Sequence, residues 1–410
     1  MSTAADVRMQ GFRRRSEVPA VLEWIDRHAH RLPGESVSID DATSRVLASD
    51  VVAAIDVPGF DRSAMDGYGL RGDDTSGASE YNPISLPVEG QVLPAQPLAH
   101  SIAPGSAVRI MTGAPIPQGV DAVVPAEFAS ESAGRIEITR PVAPGQHVAH
   151  RGEDVAEGAV VLRAGRRLRA QDVALVASLG QAQVDVVQRP RVRIVATGNE
   201  VVAPGQPKDL YEIYDANSYM LRGLLTRDGG LLEKAMRLGD DPAAIREALT
   251  APGADVILVS GGSSVGAEDH TPRLVAECGE LAIHGVAMRP SSPAGAGRVG
   301  DACVFLLPGN PVSCLCAYDF FAARAIRIMS GLPAGFPHRN VRATVARKIV
   351  SAVGRVDYCR VRLADGKVEP IALSGASILS STTRADGFAI VPAESEGYAP
   401  GSEITVYLYD

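Results

Sequence analysis

The sequence predicts a multi-domain α/β plus β protein, in which a doubly wound α/β domain is preceded by a mostly β insert and followed by a small β domain. Three observations carry this. From Arg191 to about Ser330, strand patterns alternate with helix patterns, which implies a mainly parallel sheet covered on both faces. From Val51 to about Ile138 the chain is rich in Pro, Gly and Val with short apolar runs, the composition of strands and turns. After a linker at Pro333–Pro337, residues Arg339–Asp410 read as short alternating strands.

The bulk numbers fit this class. A chain of 410 residues has room for several domains. With 46% hydrophobic and 21% charged residues it is expected to fold rather than remain disordered. Aromatics are only 5%, so the core must be built from Val, Ala, Leu and Ile. The net charge is -8 and no basic tract stands out beyond Arg13–Arg15, so a nucleic-acid partner is not expected. Five cysteines without a CxxC pair argue against a disulfide framework or a zinc site and for a reducing compartment, the cytoplasm. The N-terminal residues lack the apolar stretch of a signal peptide, and no apolar run is long enough to span a bilayer, so no membrane partner is expected.

Taken in order, Val18–His30 is an amphipathic helix with Val21, Leu22 and Ile25 on one face. A second helix is expected from Ser38–Asp41 to about Leu47. Gly145, Gly152, Gly158 and Gly165 punctuate a run of small strands, followed by a helix from Ala170 to about Leu179 that Gly180 ends. If that helix packs beside the first ones, the first domain is discontinuous, 1–50 with 140–180, around an insert at 51–139. In the α/β domain, 181–332, Arg191–Ala196, Asp255–Val259 and Cys303–Leu307 are strands. Ser218–Asp228 and Asp241–Ala251 are helices, the second with Pro242 in its first turn, and Val312–Ser330 is a long, mostly apolar, buried helix. The remainder, 333–410, is the C-terminal β domain; Trp24 is expected in the core and His147 and His150 at the surface.

Three loops follow strands of the α/β domain, where parallel sheets bind ligands. In Thr197–Glu200, Gly198 lets a phosphate approach the backbone and Glu200 is placed to hold a metal. In Ser260–Asp269, the run Ser260, Gly261, Gly262, Ser263, Ser264 is poor packing material but a good nest of N–H and O–H donors, and Asp269 closes it. Together these two loops suit a phosphorylated small molecule and a divalent cation. In the third, Pro308 and Pro311 stiffen a turn made by Gly309, and Asn310 could donate to a phosphate. Each loop alone also reads as an ordinary turn; three on one sheet edge point to a site. In the insert, Asp61, Ser63 and Asp66 form a polar loop suited to hard cations, and Thr112–Gly113 follow a short apolar stretch, although each alone reads more readily as a turn. Asp240 and Asp241 precede Pro242 as a helix N-cap, which needs only one of the two. HExxH and Walker A motifs are absent, and no GxGxxG stands after an expected strand.

These segments occur in a familiar order: DVPGFDRSAMDGYGL (56–70), RIMTGAPIPQGVDAVVPAE (109–127), RGEDV (151–155), TGNE (197–200), IYDAN (213–217), SGGSSVG (260–266), LPGNPVS (307–313) and LSSTTRADGFAIVP (379–392). Over nearly its whole length the chain closely resembles molybdopterin molybdenumtransferases, the MoeA and gephyrin E-domain family. The resemblance implies a four-part homodimer with an elongated N-terminal domain, a MogA-like α/β domain and a small C-terminal β barrel. It implies a transferase that takes adenylylated molybdopterin and molybdate, requires Mg2+, releases AMP and yields molybdenum cofactor. Molybdopterin adenylyltransferase and molybdoenzyme clients or their chaperones are the implied partners.

The resemblance carries catalytic roles onto Asp66, Thr112, Glu200, Asp240 and Asp269, with Glu200, Asp240 and Asp269 at the metal. It places substrate on Thr197, Gly198, Ser260–Ser264, Arg289, Ser292 and Pro308–Asn310. The chemistry agrees: joining an anionic oxometalate to a pterin phosphate gathers negative charge that Mg2+ must neutralise, and the fork of Arg289 suits an oxyanion. Two departures stand out. Asn199 replaces the usual Asp of TGDE, which would weaken a cation site. RPSSPAGAG (289–297) replaces KPGKPxxFG, with serines at 291 and 292 and Ala296 for an aromatic. A tungstate-preferring variant and a non-catalytic paralogue that binds or delivers the cofactor are the alternatives, and an adenylyltransferase is a third.

Overall fold

A computed structural model describes residues 15–263, 270–372 and 375–409. The described chain divides into two units, one made of 36–43 and 49–185, the other of the remaining residues. Helix α1 (Val18–His28) carries Pro19 in its first turn, where a missing N–H costs nothing, and buries Val18, Val21, Trp24 and Ile25 on one stripe. The helix expected from Ser38 to Leu47 does not form. Only Ile39–Asp41 make a turn of 3-10 helix, because the Ser38 hydroxyl accepts from Asp40 N–H and Ser44 adopts a left-handed φ of 68°.

The smaller unit is built on β1 (Gly67–Leu70), β2 (Ile84–Val92), β3 (Ala107–Ile110), β4 (Ala122–Pro125), β5 (Ala129–Ser132) and β6 (Arg135–Ile138), in the order β4-β1-β3-β2-β6-β5. Only β2 and β3 pair in parallel. Alternating residues feed two cores: Leu70, Ala107, Val124 and Ile136 on one face, Val92, Val108, Ile110 and Val123 on the other. The expected helix α2 (Ala170–Ser178) belongs to this unit.

In the larger unit, β7 (Arg191–Thr197), α3 (Asn217–Arg227), β8 (Leu231–Leu238), α4 (Pro242–Thr250), β9 (Val256–Ser260), α5 (Thr271–Cys278), β10 (Glu280–His284), β11 (Gly295–Val299), β12 (Ala302–Leu307) and α6 (Pro311–Ala317) form the α/β domain. The strand order is β8-β7-β9-β12-β11-β10. The first four strands are parallel; β11 alone is reversed, antiparallel to both β12 and β10, because it joins β12 through a tight turn with Gly300 at φ 57°. Odd and even strand residues face opposite layers. Ile194, Leu258 and Phe305 pack on α3, α6 and α1, while Val195, Val259 and Leu306 pack on α4 and α5.

The long apolar helix expected over Val312–Ser330 is present in three pieces, α6, a π-helical turn at Tyr318–Ala322, and α7 (Ala323–Met329). The C-terminal region is a closed five-stranded barrel of β13 (Asn340–Val345), β14 (Val356–Ala364), β15 (Lys367–Ala372), β16 (Gly387–Val391) and β17 (Glu403–Leu408), in the order β14-β15-β13-β17-β16, closed by β14 with β16. Among the described residues no helix is long and apolar enough to cross a membrane.

Candidate active site

The three expected loops leave the carboxyl ends of β7, β9 and β12, which are adjacent in the sheet. They line one cleft of about 610 Å³, together with Glu200, Tyr214, Asp215 and Asn217. Gly198 has φ 129°, and an added Cβ there would lie 2.6 and 2.9 Å from the two carboxylate oxygens of Glu200, so the carboxylate folds back over the loop. Gly261 has φ 98°, and a Cβ there would lie 2.6 Å from Thr197 O. The first two loops therefore touch backbone to backbone, which only glycine permits.

Asn199 and Asp240 bind each other reciprocally. Asn199 N–H donates to Asp240 Oδ2 at 3.2 Å, and Asp240 N–H donates to Asn199 Oδ1 at 3.1 Å. Asn199, the residue directly before Glu200 in sequence, is thus tied to Asp240 by two hydrogen bonds. Asp241, not Asp240, caps α4 by accepting from Ala243 N–H, so the two aspartates divide the tasks. Ser264 and Asp269 lie outside the described residues.

Some expected contacts are used differently. The Ser260 hydroxyl accepts from Asn217 Nδ2 at 2.8 Å and faces Cys314 Sγ at 3.7 Å, and the Ser263 hydroxyl donates to Leu307 O at 3.3 Å. Both hydroxyls brace the loop. Buried polar atoms left without any partner lie beside it instead: Thr197 Oγ1 and Asn217 Oδ1 of cleft-lining residues, and Thr271 Oγ1 next to Gly262. Buried polar groups are nearly always satisfied, so a cluster of orphans beside a cleft is what a polar ligand would complete.

Arg289 and Ser292 line a second cleft of about 790 Å³, with Arg15 and Arg355; Pro293, Pro308 and Asn310 line both clefts. Arg289 does not present a free fork. It makes a two-point ion pair with Asp357, which also accepts from the Ser351 hydroxyl. Ser291, where the family pattern has Gly, keeps a left-handed φ of 91°, held by its hydroxyl donating to Ser313 O at 2.6 Å. Ser292 Oγ is buried without a partner. Ala296 is fully buried in β11.

In the smaller unit, Asp66 and Thr112 meet. Thr112 N–H and Oγ1 both donate to Asp66 Oδ1, at 2.6 and 2.8 Å. These two donors hold the Asp66 carboxyl below its ordinary 3.8, the backbone donor most strongly. Asp66 is therefore ionised across the neutral and mildly acidic range. Thr112→Val removes one donor, and carboxyl NMR is expected to show the Asp66 titration moving up toward 3.8. Because the folded value is depressed, the pair's stabilising contribution is present above the unfolded pKa and fades as pH falls through the folded one.

Sequence reasoning did not assign Asp215 and Asn217. The available signal was polar residues in IYDAN at the start of a helix whose next apolar positions, Leu221 and Leu225, are core.

Comparisons with known proteins agree with this architecture. The MoeA N-terminal region (domain I and II) matches residues 16–180, a probable molybdopterin binding domain matches 193–327, and the MoeA C-terminal region (domain IV) matches 342–409. Molybdopterin molybdenumtransferase 2 of Mycobacterium tuberculosis is 35% identical over 91% of this chain and 94% of its own. Molybdopterin molybdenumtransferase of Bacillus subtilis is 32% identical over 96% and 95%. The crystal structure of a molybdopterin biosynthesis MoeA protein from Pyrococcus horikoshii superposes with a TM-score of 0.80, at 33% identity, covering 97% of this chain and 100% of that one. The multi-domain architecture, an α/β domain with a C-terminal barrel, is thus shared with proteins of molybdenum-cofactor biosynthesis, and the activity class is a transferase. The chain belongs to the MoeA family of molybdopterin molybdenumtransferases.

Proposed function

We propose that the protein places molybdenum on molybdopterin, taking molybdate and adenylylated molybdopterin, using Mg2+, and releasing AMP. The observation that supports this best is the convergence of the three loops on one cleft, with Glu200 over Gly198 and Asp240 tied to Asn199. Mg2+ takes one or two carboxylates and fills its remaining positions with phosphate oxygens and water. Of Glu200, Asp240 and Asp269, one or two would be direct ligands and the rest would orient the ion's waters; the ion would supply neutralisation of the phosphate charge. Thr197, Gly198 and the Ser260–Ser263 backbone would seat the phosphate, and Ser292 would meet the oxyanion, with Arg289, held by Asp357, lending positive charge to that cleft rather than a free fork. Asp66, kept ionised by Thr112, belongs to the same reaction. The protein acts as a cytoplasmic homodimer.

Purified protein incubated with adenylylated molybdopterin, Mg2+ and molybdate should release AMP and form molybdenum cofactor, with tungstate as the parallel arm. Binding of the pterin with no AMP release would overturn the reading in favour of a delivery role, and net consumption of ATP would favour an adenylyltransferase.

A further inference from the structure

Asn217 opens α3 and is 9% exposed. The segment before it is fixed: Asp215 is buried, its Oδ1 accepts from Ser218 N–H at 2.9 Å, and its Oδ2 lies 3.7 Å from Arg237. From that anchored helix start, Asn217 Nδ2 makes two hydrogen bonds, to Ser260 Oγ and to Gly309 O, both 2.8 Å. A backbone carbonyl can only accept, so the amide nitrogen must face Gly309, and the orientation is settled by chemistry. Ser260 ends β9 and Gly309 follows β12. One carboxamide therefore ties the loops after two neighbouring strands to the start of a helix packed beside them. Ser260, having accepted, directs its own hydrogen toward Cys314 in α6; burial pushes that thiol up to about 12, so it stays neutral.

We infer that Asn217 is a positioning residue, which sets the spacing between the Ser260–Ser263 and Pro308–Asn310 walls of the cleft by donating to both. The two loops are also joined directly, Gly261 N–H and the Ser263 hydroxyl both donating to Leu307 O. Loss of the Asn217 donor should thus loosen the Gly309 side without dissolving the site. Misplacement on the scale of an ångström and loss of supporting contacts each lower activity by about 10- to 100-fold.

The role rests on the reading of the cleft given above, and its test separates the two. Asn217→Asp keeps the shape and removes the donor; Asn217→Ala removes both and covers the case in which a buried carboxylate unfolds the domain. Amide hydrogen exchange is read first, with no substrate present. Peptides spanning 256–263 and 307–312 should exchange at least 10-fold faster in both variants, while peptides of the C-terminal barrel are unchanged. AMP release is then read beside the unaltered protein. The expected result is a 10- to 100-fold lower kcat/KM in both variants, and a less than additive further loss when Ser260→Ala is added to Asn217→Ala, since the two share one bond. Unchanged exchange at 256–263 and 307–312 overturns the positioning role whatever the activity. An Asn217→Asp protein that matches the unaltered one in exchange and kcat/KM also overturns it, because shape alone then suffices. Exchange that rises in variants of a protein that releases no AMP upholds the positioning of the walls and overturns only the reading of the reaction.

Discussion

Glu200→Gln is expected to lower kcat/KM for AMP release by about 100-fold or more at limiting Mg2+. The substitution is isosteric. It keeps the side chain over Gly198, where the carboxylate oxygens lie within 3 Å of where a Cβ would stand, and it removes only the charge. A hard cation shared between few carboxylates loses much of its affinity with one of them, because the remaining positions are filled by water and phosphate, which move with the substrate. The defect should therefore be one of affinity first: raising Mg2+ into the millimolar range should recover part of the rate. Asp240→Asn should behave alike but more weakly, since Asp240 Oδ2 is also engaged by Asn199 N–H. The measurement is the Mg2+ dependence of AMP release in the two variants. A Glu200→Gln protein whose rate and Mg2+ midpoint match the unaltered protein would remove Glu200 from the metal site. Stability should not change by more than about 0.5 kcal/mol, because Glu200 is exposed.

The loops were legible because their chemistry is local. Gly198, Gly261 and the Pro308–Asn310 turn stand directly after apolar strands, and the α/β alternation implies a mainly parallel sheet; that these loops converge is a consequence of β7, β9 and β12 being neighbours, which alternation alone does not give. What the sequence could not show is which polar atoms are spent. Ser260 and Ser263 look like phosphate donors by type, yet their hydroxyls brace Asn217, Cys314 and Leu307. Arg289 looks like a free oxyanion fork, but Asp357, far along the chain in β14, claims it. Such partners are set by tertiary placement, and side-chain type alone does not reveal them.

The elements show the same division. The stripe Val21, Leu22, Ile25 indicates α1 by its period, though nothing in a stripe tells which core it joins; α1 packs with Phe320, Phe321 and Ile326. The missing helix after Ser38 failed for a local reason that propensity understates, namely a side-chain cap competing with the next turn. The reciprocal Asn199–Asp240 pair changes the reading of the TGNE departure. An amide there accepts from Asp240 N–H as a carboxylate would, so the loop geometry survives and only one negative charge is lost.

Arg193→Met is expected to destabilise the larger unit by about 3–5 kcal/mol, the usual loss when one partner of a buried ion pair is removed. Arg193 is 2% exposed near the start of β7. Its guanidinium donates to Glu233 at 2.9 Å, to Ala248 O at 2.9 Å, to Ala251 O at 2.7 Å and to Pro252 O at 2.8 Å. The last three carbonyls are at the C-terminal end of α4, where helix carbonyls have no partner of their own and where a cation is favoured. Methionine fills the volume but leaves those acceptors and the Glu233 carboxylate unpaired. Arg193→Lys should recover little, because one ammonium cannot span four acceptors arranged around a planar fork. At roughly 2–4 °C per kcal/mol for domains of this size, the transition of the larger unit should fall by about 6–20 °C. Adding Glu233→Gln should return part of that loss, since it removes the uncompensated charge. Arg193 lies four residues before Thr197 in β7 and directs its guanidinium to the end of α4, so AMP release per folded molecule at low temperature should be unchanged. Calorimetry of the three variants beside that activity distinguishes a brace under α4 from a residue of the site: a kcat/KM loss in Arg193→Met with unchanged melting would assign Arg193 to the chemistry instead.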